Sequence, residues 1–493
     1  MFWIGYDIGS SSIKAALVDA GTGKVHKTVQ YPEQEMVIHS PKNGWAEQDP
    51  ESWWFNLCQA TKKLLNESEV SGTSIKGVGI SYQMHGLVLV DKQMEVLRPS
   101  IIWCDSRAVK TGHELLQSCG EEKCINRLLN SPGNFTLSKL KWVKDNEPEV
   151  FERVHKFMLP GDFIALKLTG TCSTTISGLS EGIVWDFKEE VPANWLLDVA
   201  GIDRSLIPEL VDTFSDQGKL SEQAAKATGL PMGIPVMYRA GDQPNNAMAL
   251  NVMQPGEIAA TGGTSGVVYA ITDQATTREG ERINCFAHVN HSKAEKRIGK
   301  MLCINGTGIQ YSWMRKQVAA NSSYQELNAM AESIGIGSEG LRILPFGNGA
   351  ERMLYNENRG ARVLNLNFNL HTKQHLLRAS LEGIAFSFVY GLEILKEDGV
   401  ALSSIKAGND NLFQSSLFSN TISTLTGTSI KIMETTGAVG AARAAATAFG
   451  DFSSLEESVQ TDKQCGVYEP IANEQEYLEA YHLWKRDLNE YIN

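Results

Sequence analysis

Ile4-Gly5-Tyr6-Asp7-Ile8-Gly9-Ser10-Ser11-Ser12-Ile13, near the start of the chain, has a counterpart in Ile258-Ala259-Ala260-Thr261-Gly262-Gly263-Thr264-Ser265-Gly266-Val267-Val268. In both stretches a turn rich in Gly, Ser and Thr separates two apolar segments that are typical of β-strands. A short match of small residues could by itself arise by chance. The shared order of strand, turn and strand, repeated about half a chain length later, favours two duplicated domains that face one another.

Length and composition set the number and the class of the domains. The 493 residues exceed the roughly 250 to 300 residues at which a single core stops growing. The chain is 42% hydrophobic and 21% charged, which is typical of ordinary globular cores. Its patterns predict strands at 2–6, 13–19 and 75–81 and a helix at 50–65, hence an α/β fold. A strand predicted at 236–240 and another at 257–260 place the boundary between domains 1–245 and 246–493.

Net charge and cysteine spacing limit which partners the protein is expected to bind and in which cellular compartment it is expected to occur. The formal net charge of −12 disfavours nucleic acid and anionic membrane surfaces as partners. Because no signal-peptide pattern occurs and no apolar run reaches the roughly 18 residues of a membrane span, we expect a soluble, cytoplasmic protein. The eight cysteines include no CxxC pair, which favours reduced thiols. His288 and His291 are predicted to be solvated loop residues rather than metal ligands.

The two turns are candidate phosphate-binding loops. Turns dense in Gly, Ser and Thr let backbone N–H groups converge on phosphate oxygens. No GxxxxGK[ST] stretch occurs, and no GxGxxG opens a helix after a strand, so a nucleotide site would be of another design. Asp7 beside phosphates would require a shared cation such as Mg²⁺, although it could equally cap the turn. Lys14 could reach a phosphate or face solvent.

Asp242 is the candidate catalytic base. It follows a predicted strand and precedes Gln243 and Pro244, at the carboxyl end of a strand, where ligands gather in open α/β sheets. In phosphoryl transfer a carboxylate can accept the proton of the attacking hydroxyl group. On local features alone, an aspartate that forms a turn is the more common interpretation.

Two further loops have side chains suited to a sugar. His85 lies in the 83–86 loop between two predicted strands, where its ring could bind a polar ligand or pack internally. Trp103, Asp105 and Arg107 combine an aromatic ring, an acid and a guanidinium group within five residues. A local Asp–Arg pair that stabilises the turn is the structural alternative.

Taken together, these segments resemble the FGGY carbohydrate kinases, most closely their xylulokinase branch, along almost the whole chain. No single segment is specific, but their order along the chain is. The segments that carry the resemblance are 7–14, 83–86, 103–107, 136–146, 159–163, 241–242, 262–265, 379–383 and 437–443.

The resemblance implies two actin-like (ribonuclease H-like) α/β domains with a nucleotide and sugar cleft between them. It implies ATP and Mg²⁺ as cofactors and a small sugar as substrate, with a homodimer as one option for assembly. Asp242 would be the catalytic base, and Asp7 and Asp242 would hold the metal. The implied substrate contacts are Met84, His85, Gly86, Trp103, Asp105, Asp242 and Gln243. The implied nucleotide contacts are Ser10, Ser11, Lys14, Gly262, Gly263, Thr264, Gly408 and Asn409.

The expected reaction is ATP-dependent phosphorylation of a ketopentose, D-xylulose first, at its terminal hydroxyl group. Sedoheptulose, ribulose and glycerol remain alternative acceptors, and a non-catalytic actin-like ATP-binding or sugar-sensing protein is the alternative from another class.

Three positions depart from the family pattern. Gln243 stands where xylulokinases more often have Asn, the 407–411 loop replaces a run of glycines, and Asn365 stands where Gly is expected. The last change is interpreted as structural.

Overall fold

The computed structural model describes residues 1–409, 411–459 and 464–492. The strands up to residue 249 are β1 (Phe2–Ile8), β2 (Ile13–Asp19), β3 (Val25–Tyr31), β4 (Glu47–Gln48), β5 (Ile75–Tyr82), β6 (Val88–Val90), β7 (Ser100–Ile101), β8 (Lys156–Met158), β9 (Ser173–Thr175), β10 (Trp185–Asp186), β11 (Val191–Pro192), β12 (Glu209–Val211) and β13 (Val236–Gly241). The helices of this half are α1 (Pro50–Ser68), α2 (Val109–Cys119), α3 (Glu121–Leu128), α4 (Thr136–Asn146), α5 (Pro148–Phe151), α6 (Pro160–Thr169), α7 (Ile176–Glu181), α8 (Asn194–Ala200), α9 (Glu222–Thr228) and α10 (Asp242–Ala249).

The second half has the same mixture of elements. Its strands are β14 (Glu257–Gly262), β15 (Gly266–Thr272), β16 (Asn284–Ala287), β17 (Ile298–Ile304), β18 (Arg342–Leu344), β19 (Arg362–Leu364), β20 (Ser404–Gly408), β21 (Ile430–Met433) and β22 (Gln464–Tyr468). Its helices are α11 (Gly308–Gln317), α12 (Tyr324–Glu332), α13 (Lys373–Glu397), α14 (Ser416–Thr426), α15 (Gly437–Phe449), α16 (Leu455–Val459) and α17 (Glu474–Ile492).

Each half is built around one central sheet with a repeated arrangement. The first sheet has the strand order β13-β5-β1-β2-β3, and the second has β16-β17-β15-β14-β20-β21-β22. β1 pairs antiparallel with β2 and parallel with β5, and β14 likewise pairs antiparallel with β15 and parallel with β20. The two Gly, Ser and Thr turns therefore occupy equivalent positions, which confirms the predicted α/β duplication.

Helix α15 belongs to the second half of the sequence but packs on the first sheet. Most of its buried residues are alanines, and the strands below it have glycines. A Cβ atom at Gly5 would lie 1.8 Å from the backbone oxygen of Ala438, and one at Gly79 would lie 1.9 Å from that of Ala441. The backbones of helix and sheet are therefore in direct contact. The boundary at residues 245 and 246 stays a prediction, and α10 runs across it.

Two predictions made at single residues have different outcomes. His288 and His291 are 1% and 9% exposed, so the prediction that they are solvated is wrong. Both rings pack into the interior and contact polar groups there. His288 Nδ1 lies 3.1 Å from the Tyr269 hydroxyl, and His291 Nε2 lies 3.0 Å from Glu190 Oε2. Asn365 has φ of 60°, a left-handed conformation that Asn tolerates better than most residues, which explains how it can stand where Gly is expected.

No helix within the described ranges combines the length and the apolar character needed to cross a membrane.

Candidate active site

Asp242 lies at the junction of β13 and α10, in the first turn of the helix. Its Oδ1 atom is buried and has no hydrogen-bond partner among the described residues. Burial and the nearby Asp7 carboxylate raise the pKa of Asp242 to about 7, while hydrogen bonds from Gln243 oppose the rise. A buried carboxyl group with a proton affinity near neutrality and an unused oxygen is suited to accept a proton from a hydroxyl group.

Asp7 is the penultimate residue of β1 and faces the same region. It pairs in register with Ser81 of β5, whose hydroxyl donates a 3.1 Å hydrogen bond to Asp7 Oδ1. A Cβ atom at Gly437, the first residue of α15, would lie 3.0 Å from Asp7 Oδ2 and 2.9 Å from Asn246 Oδ1. The N-terminus of α15 therefore closes over Asp7, and burial raises the pKa of this carboxyl group although Lys14 opposes the rise.

The two carboxylates are a suitable donor set for magnesium. Mg²⁺ is usually held by one or two carboxylates together with waters and phosphate oxygens rather than by a cage made of protein alone. Asp7 and Asp242 interact electrostatically, and Asp242 has a free buried oxygen. Among the residues that the structure describes, no group of three or more His, Cys, Asp or Glu side chains could hold a metal by itself. The residues present thus fit a metal shared with phosphates.

The Met84-His85-Gly86 loop lies beside the candidate base. A Cβ atom at Gly241 would lie 2.6 Å from Met84 Cγ, so the loop packs directly against the residue before Asp242. A Cβ atom at Gly86 would lie 2.6 Å from Pro160 Cγ, which explains the glycine at this close approach. His85 adopts φ of 62°, and its ring centroid lies 4.8 Å from that of Phe135. The predicted sugar loop and the predicted base are thus brought together.

The Trp103–Arg107 segment divides into an exposed part and a structural part. Trp103 is 54% exposed, and its Nε1 atom donates a 3.4 Å hydrogen bond to Ser10 Oγ of the first turn. Asp105 is fully buried, and its carboxylate accepts hydrogen bonds from the Arg107 side chain and from the backbone N–H of Ala46. The structure therefore favours the local Asp–Arg pair for Asp105, because both of its oxygens are already used.

The second turn borders a large cavity. The cavity has a volume of about 730 Å³ and is lined by the turn between β14 and β15, by α11 and α12, and by residues near 412–415. Its lining includes Gly262, Gly263, Thr264, Tyr324, Asn328 and Gln414. Aromatic, amide and hydroxyl groups with a glycine turn at one end could hold an adenine ring and its phosphates.

The remaining predicted nucleotide contacts lie around these two turns. Ser10 and Ser11 lie in the first turn, and the exposed Lys14 pairs in register with Asp7. Gly408 ends β20 and Asn409 follows it, and neither is among the cavity-lining residues. The backbone oxygen of Asn409 accepts a hydrogen bond from Gln414, which lines the cavity. Asp410 of the altered loop lies outside the described residues.

Sequence reasoning missed two buried residues that contact the sugar loop. Glu181 ends the six-residue helix α7, and its Oε2 atom accepts a 3.1 Å hydrogen bond from the backbone N–H of His85. Lys139 of α4 donates a 2.7 Å hydrogen bond to the backbone oxygen of His85. Lys139 lies within a segment that carries the resemblance, whereas no sequence pattern marks Glu181.

Comparison with known proteins agrees with this geometry. Residues 2–249 match the FGGY family of carbohydrate kinases, N-terminal domain, and residues 258–449 match its C-terminal domain. The chain is 30% identical to the xylulose kinase of Bacillus subtilis, over 99% of this chain and 97% of the relative. The solved structure of xylulose kinase from Rhodospirillum rubrum superposes with a TM-score of 0.89 at 25% identity and covers both chains completely.

A second solved structure shares the fold alone. It is gluconate kinase from Lactobacillus acidophilus, with a TM-score of 0.89 at 23% identity, covering 100% of this chain and 98% of the other. The same architecture thus occurs in proteins named for different sugars. Because the two family matches together span most of the sequence, the chain belongs to the FGGY family of carbohydrate kinases.

Proposed function

We propose that this carbohydrate kinase transfers the γ-phosphoryl group of ATP to the terminal hydroxyl group of a ketopentose, with D-xylulose as the first candidate. The observation that carries the proposal is the Oδ1 atom of Asp242, which is buried beside the Met84-His85-Gly86 loop and has no hydrogen-bond partner in the described part of the chain. The similarity to xylulose kinases over the full chain supports the choice of sugar.

In the proposed reaction Asp242 acts as the general base. Its carboxylate accepts the proton of the acceptor hydroxyl group as the bond from that oxygen to the γ-phosphorus forms, while the bond from the γ-phosphorus to the bridging oxygen breaks and ADP leaves. Asp7 and Asp242 would hold Mg²⁺, which would neutralise the charge of the ATP phosphates. His85 and Met84 position the sugar next to the base. The buried setting of Asp242 limits access of water, which would otherwise compete as acceptor.

The cavity beside the second turn is the proposed nucleotide site. Gly262, Gly263 and Thr264 would contact the phosphates through backbone N–H groups, and the ring of Tyr324 and the amides of Asn328 and Gln414 would surround the base. Ser10, Ser11 and Lys14 would approach the same phosphates from the first turn. The assignment of Gly408 and Asn409 rests on their place next to Gln414.

Replacing Gly308 with valine should weaken nucleotide binding selectively. Gly308 lines the cavity at the start of α11, and a Cβ atom there would lie 2.2 Å from the backbone oxygen of Gly263. The side chain must therefore displace the phosphate turn. We expect the KM for ATP to rise about tenfold or more while the KM for the sugar changes less than about twofold, as for an interaction confined to one substrate. Initial-rate kinetics with each substrate varied in turn measure both values.

Gly466→Ala is the control for this change. Gly466 lies in β22, and a Cβ atom there would have no atom of the described residues within 4 Å. The control should leave both KM values unchanged. An equal rise of both KM values in Gly308→Val, or a rise for the sugar alone, would contradict the assignment of the cavity.

The proposed function is tested by coupled ADP release against a panel of acceptors. The panel contains D-xylulose, D-ribulose, sedoheptulose, glycerol and gluconate, each with ATP and Mg²⁺. We expect the highest kcat/KM with D-xylulose. A higher value with another member would identify that sugar or polyol as the acceptor instead, and gluconate deserves inclusion because a gluconate kinase shares the fold. ADP release that no acceptor alters would overturn the proposal and favour an ATP-binding protein of another class.

A further inference from the structure

His85 is held in an unusual backbone conformation by fully buried groups. Its φ of 62° lies in the left-handed region, which residues other than glycine rarely adopt. Such conformations persist at functional sites when the surrounding contacts determine them. The contacts that hold His85 are therefore informative about what the loop does.

Both peptide groups of His85 are bound by buried side chains from other elements. Its N–H donates to Oε2 of Glu181 at 3.1 Å, and its carbonyl oxygen accepts from Nζ of Lys139 at 2.7 Å. Lys139 also donates to the carbonyl oxygen of Ile102 at 3.1 Å, the residue before Trp103. Glu181 is 1% exposed and Lys139 is fully buried. The two side chains thus hold the loop from α7 on one side and from α4 on the other.

The ring of His85 is fixed as well. Its Nδ1 atom lies 3.0 Å from the backbone oxygen of Glu181, and because a carbonyl oxygen only accepts, Nδ1 carries the proton. Burial, assisted by Lys139, lowers the pKa of His85 to about 3, so the ring is neutral. Phe135 and Phe286 flank the ring with centroid distances of 4.8 and 5.2 Å. The Nε2 atom is therefore a hydrogen-bond acceptor with a fixed position.

We propose that Glu181 is a positioning residue that acts together with Lys139 on His85, so that Nε2 of His85 accepts a hydrogen bond from a hydroxyl group of the acceptor sugar. This inference rests on the proposed function and adds a determinant of sugar affinity to it. Glu181 itself contacts the loop and not the sugar. The site consequently selects polyhydroxylated acceptors that can donate a hydrogen bond at this point.

The environment of Glu181 decides which variants are informative. Tyr82, Asp162, Asp242 and Lys139 face its carboxyl group together with His85. Burial, with the two aspartates adding to its effect, raises the pKa of Glu181 well above its ordinary value. Glutamine has the same size and keeps a side-chain oxygen, so it is the closest analogue of this buried group. The amide oxygen of Glu181→Gln can still accept from the N–H of His85, whereas Glu181→Leu removes the acceptor and keeps an apolar side chain of similar size.

The first test measures the dissociation constant of D-xylulose by calorimetry, without turnover. Glu181→Leu should raise it about tenfold or more, and Glu181→Gln should stay within about threefold of the wild type, on the scale of one hydrogen bond. Affinity for Mg²⁺-ATP should be unchanged in both. Glu190→Leu is the matched control, because Glu190 is also buried and also contacts a histidine, His291, and it should leave sugar affinity unchanged.

A double-mutant cycle separates positioning from a general structural effect. If Glu181 acts through His85, Glu181→Leu should cause no further loss of sugar affinity in a His85→Ala background. Losses that multiply, or a Glu181→Gln variant as weak as Glu181→Leu, would overturn the inference. Failure of the proposed function looks different, since it would show as bound sugar without sugar-dependent ADP release. A wild-type protein that binds no panel sugar would overturn both.

Discussion

Asp242→Asn should lower kcat for the sugar kinase reaction at least about a hundredfold while leaving the affinity for the sugar largely intact, because a general base contributes roughly 10² to 10⁴ in rate. Asparagine has the same shape and can keep the hydrogen bonds with Gln243, but its amide cannot take a proton. The loss should therefore appear in turnover and not in binding. Single-turnover measurements of ADP formation, combined with calorimetry for the sugar, separate the two quantities.

The result depends on Asp242 Oδ1 being buried and without a hydrogen-bond partner from the described ranges. Asp145→Asn is a suitable control, since Asp145 is exposed and forms an ion pair with Lys141 along the surface of α4. It should retain full activity. If Asp242→Asn kept turnover near that of the control, the base would have to be another group, and the assignment of the reaction centre would be wrong.

Gly5→Val should destabilise the protein by about 3 kcal/mol or more, at the upper end of the range for overpacking, because neither backbone at this contact can move easily. A Cβ atom at Gly5 would lie 1.8 Å from the backbone oxygen of Ala438 and 2.5 Å from the backbone nitrogen of Ala442. Helix α15 would have to lift from β1, which would also shift its first residue, Gly437, away from Asp7. The unfolding midpoint in a thermal scan should fall by roughly 5 °C or more.

Gly335→Val tests whether the effect is local to this contact. Gly335 is exposed, and a Cβ atom there would have nothing within 4 Å, so its midpoint should stay close to that of the wild type. An unchanged midpoint in Gly5→Val would mean that α15 does not pack on β1 as described. Activity provides a second readout, because a displaced α15 should also raise the Mg²⁺ concentration needed for half-maximal rate.

Local patterns predicted the elements of the fold well. The strand predicted at 13–19 is β2 with the same bounds, and the predicted helix at 50–65 is α1, which begins at Pro50 behind an Asp49 cap and runs three residues further. These elements are determined by periodicity and capping, which act over a few residues. Helix α15 shows the limit, because its alanine-rich sequence predicts close packing but does not tell which sheet it meets.

In the candidate site, too, residue types can be read from the sequence, whereas the contacts that give them a role come from tertiary structure. Asp242 looks like a turn residue from its neighbours, and the features that make it a base, burial and proximity to Asp7, arise only when β13 and β1 come together in one sheet. Glu181 could not be found at all, since it meets His85 through tertiary contacts between distant segments. For Asp105 the sequence leaves a sugar contact and a local Asp–Arg pair open, and the structure decides between them because Arg107 binds its buried carboxylate.

The position of α15 has a consequence for biosynthesis. The strands of the first sheet are complete once residue 241 has been made, but the helix that covers one face of that sheet ends at residue 449. At roughly 5 to 20 residues per second, the ribosome needs about 10 to 40 seconds to supply it. During that interval the nascent first half exposes Trp3, Val18 and Tyr238, which are buried beneath α15 in the finished protein. Until α15 arrives, the nascent first half therefore presents an apolar surface of the kind that chaperones bind.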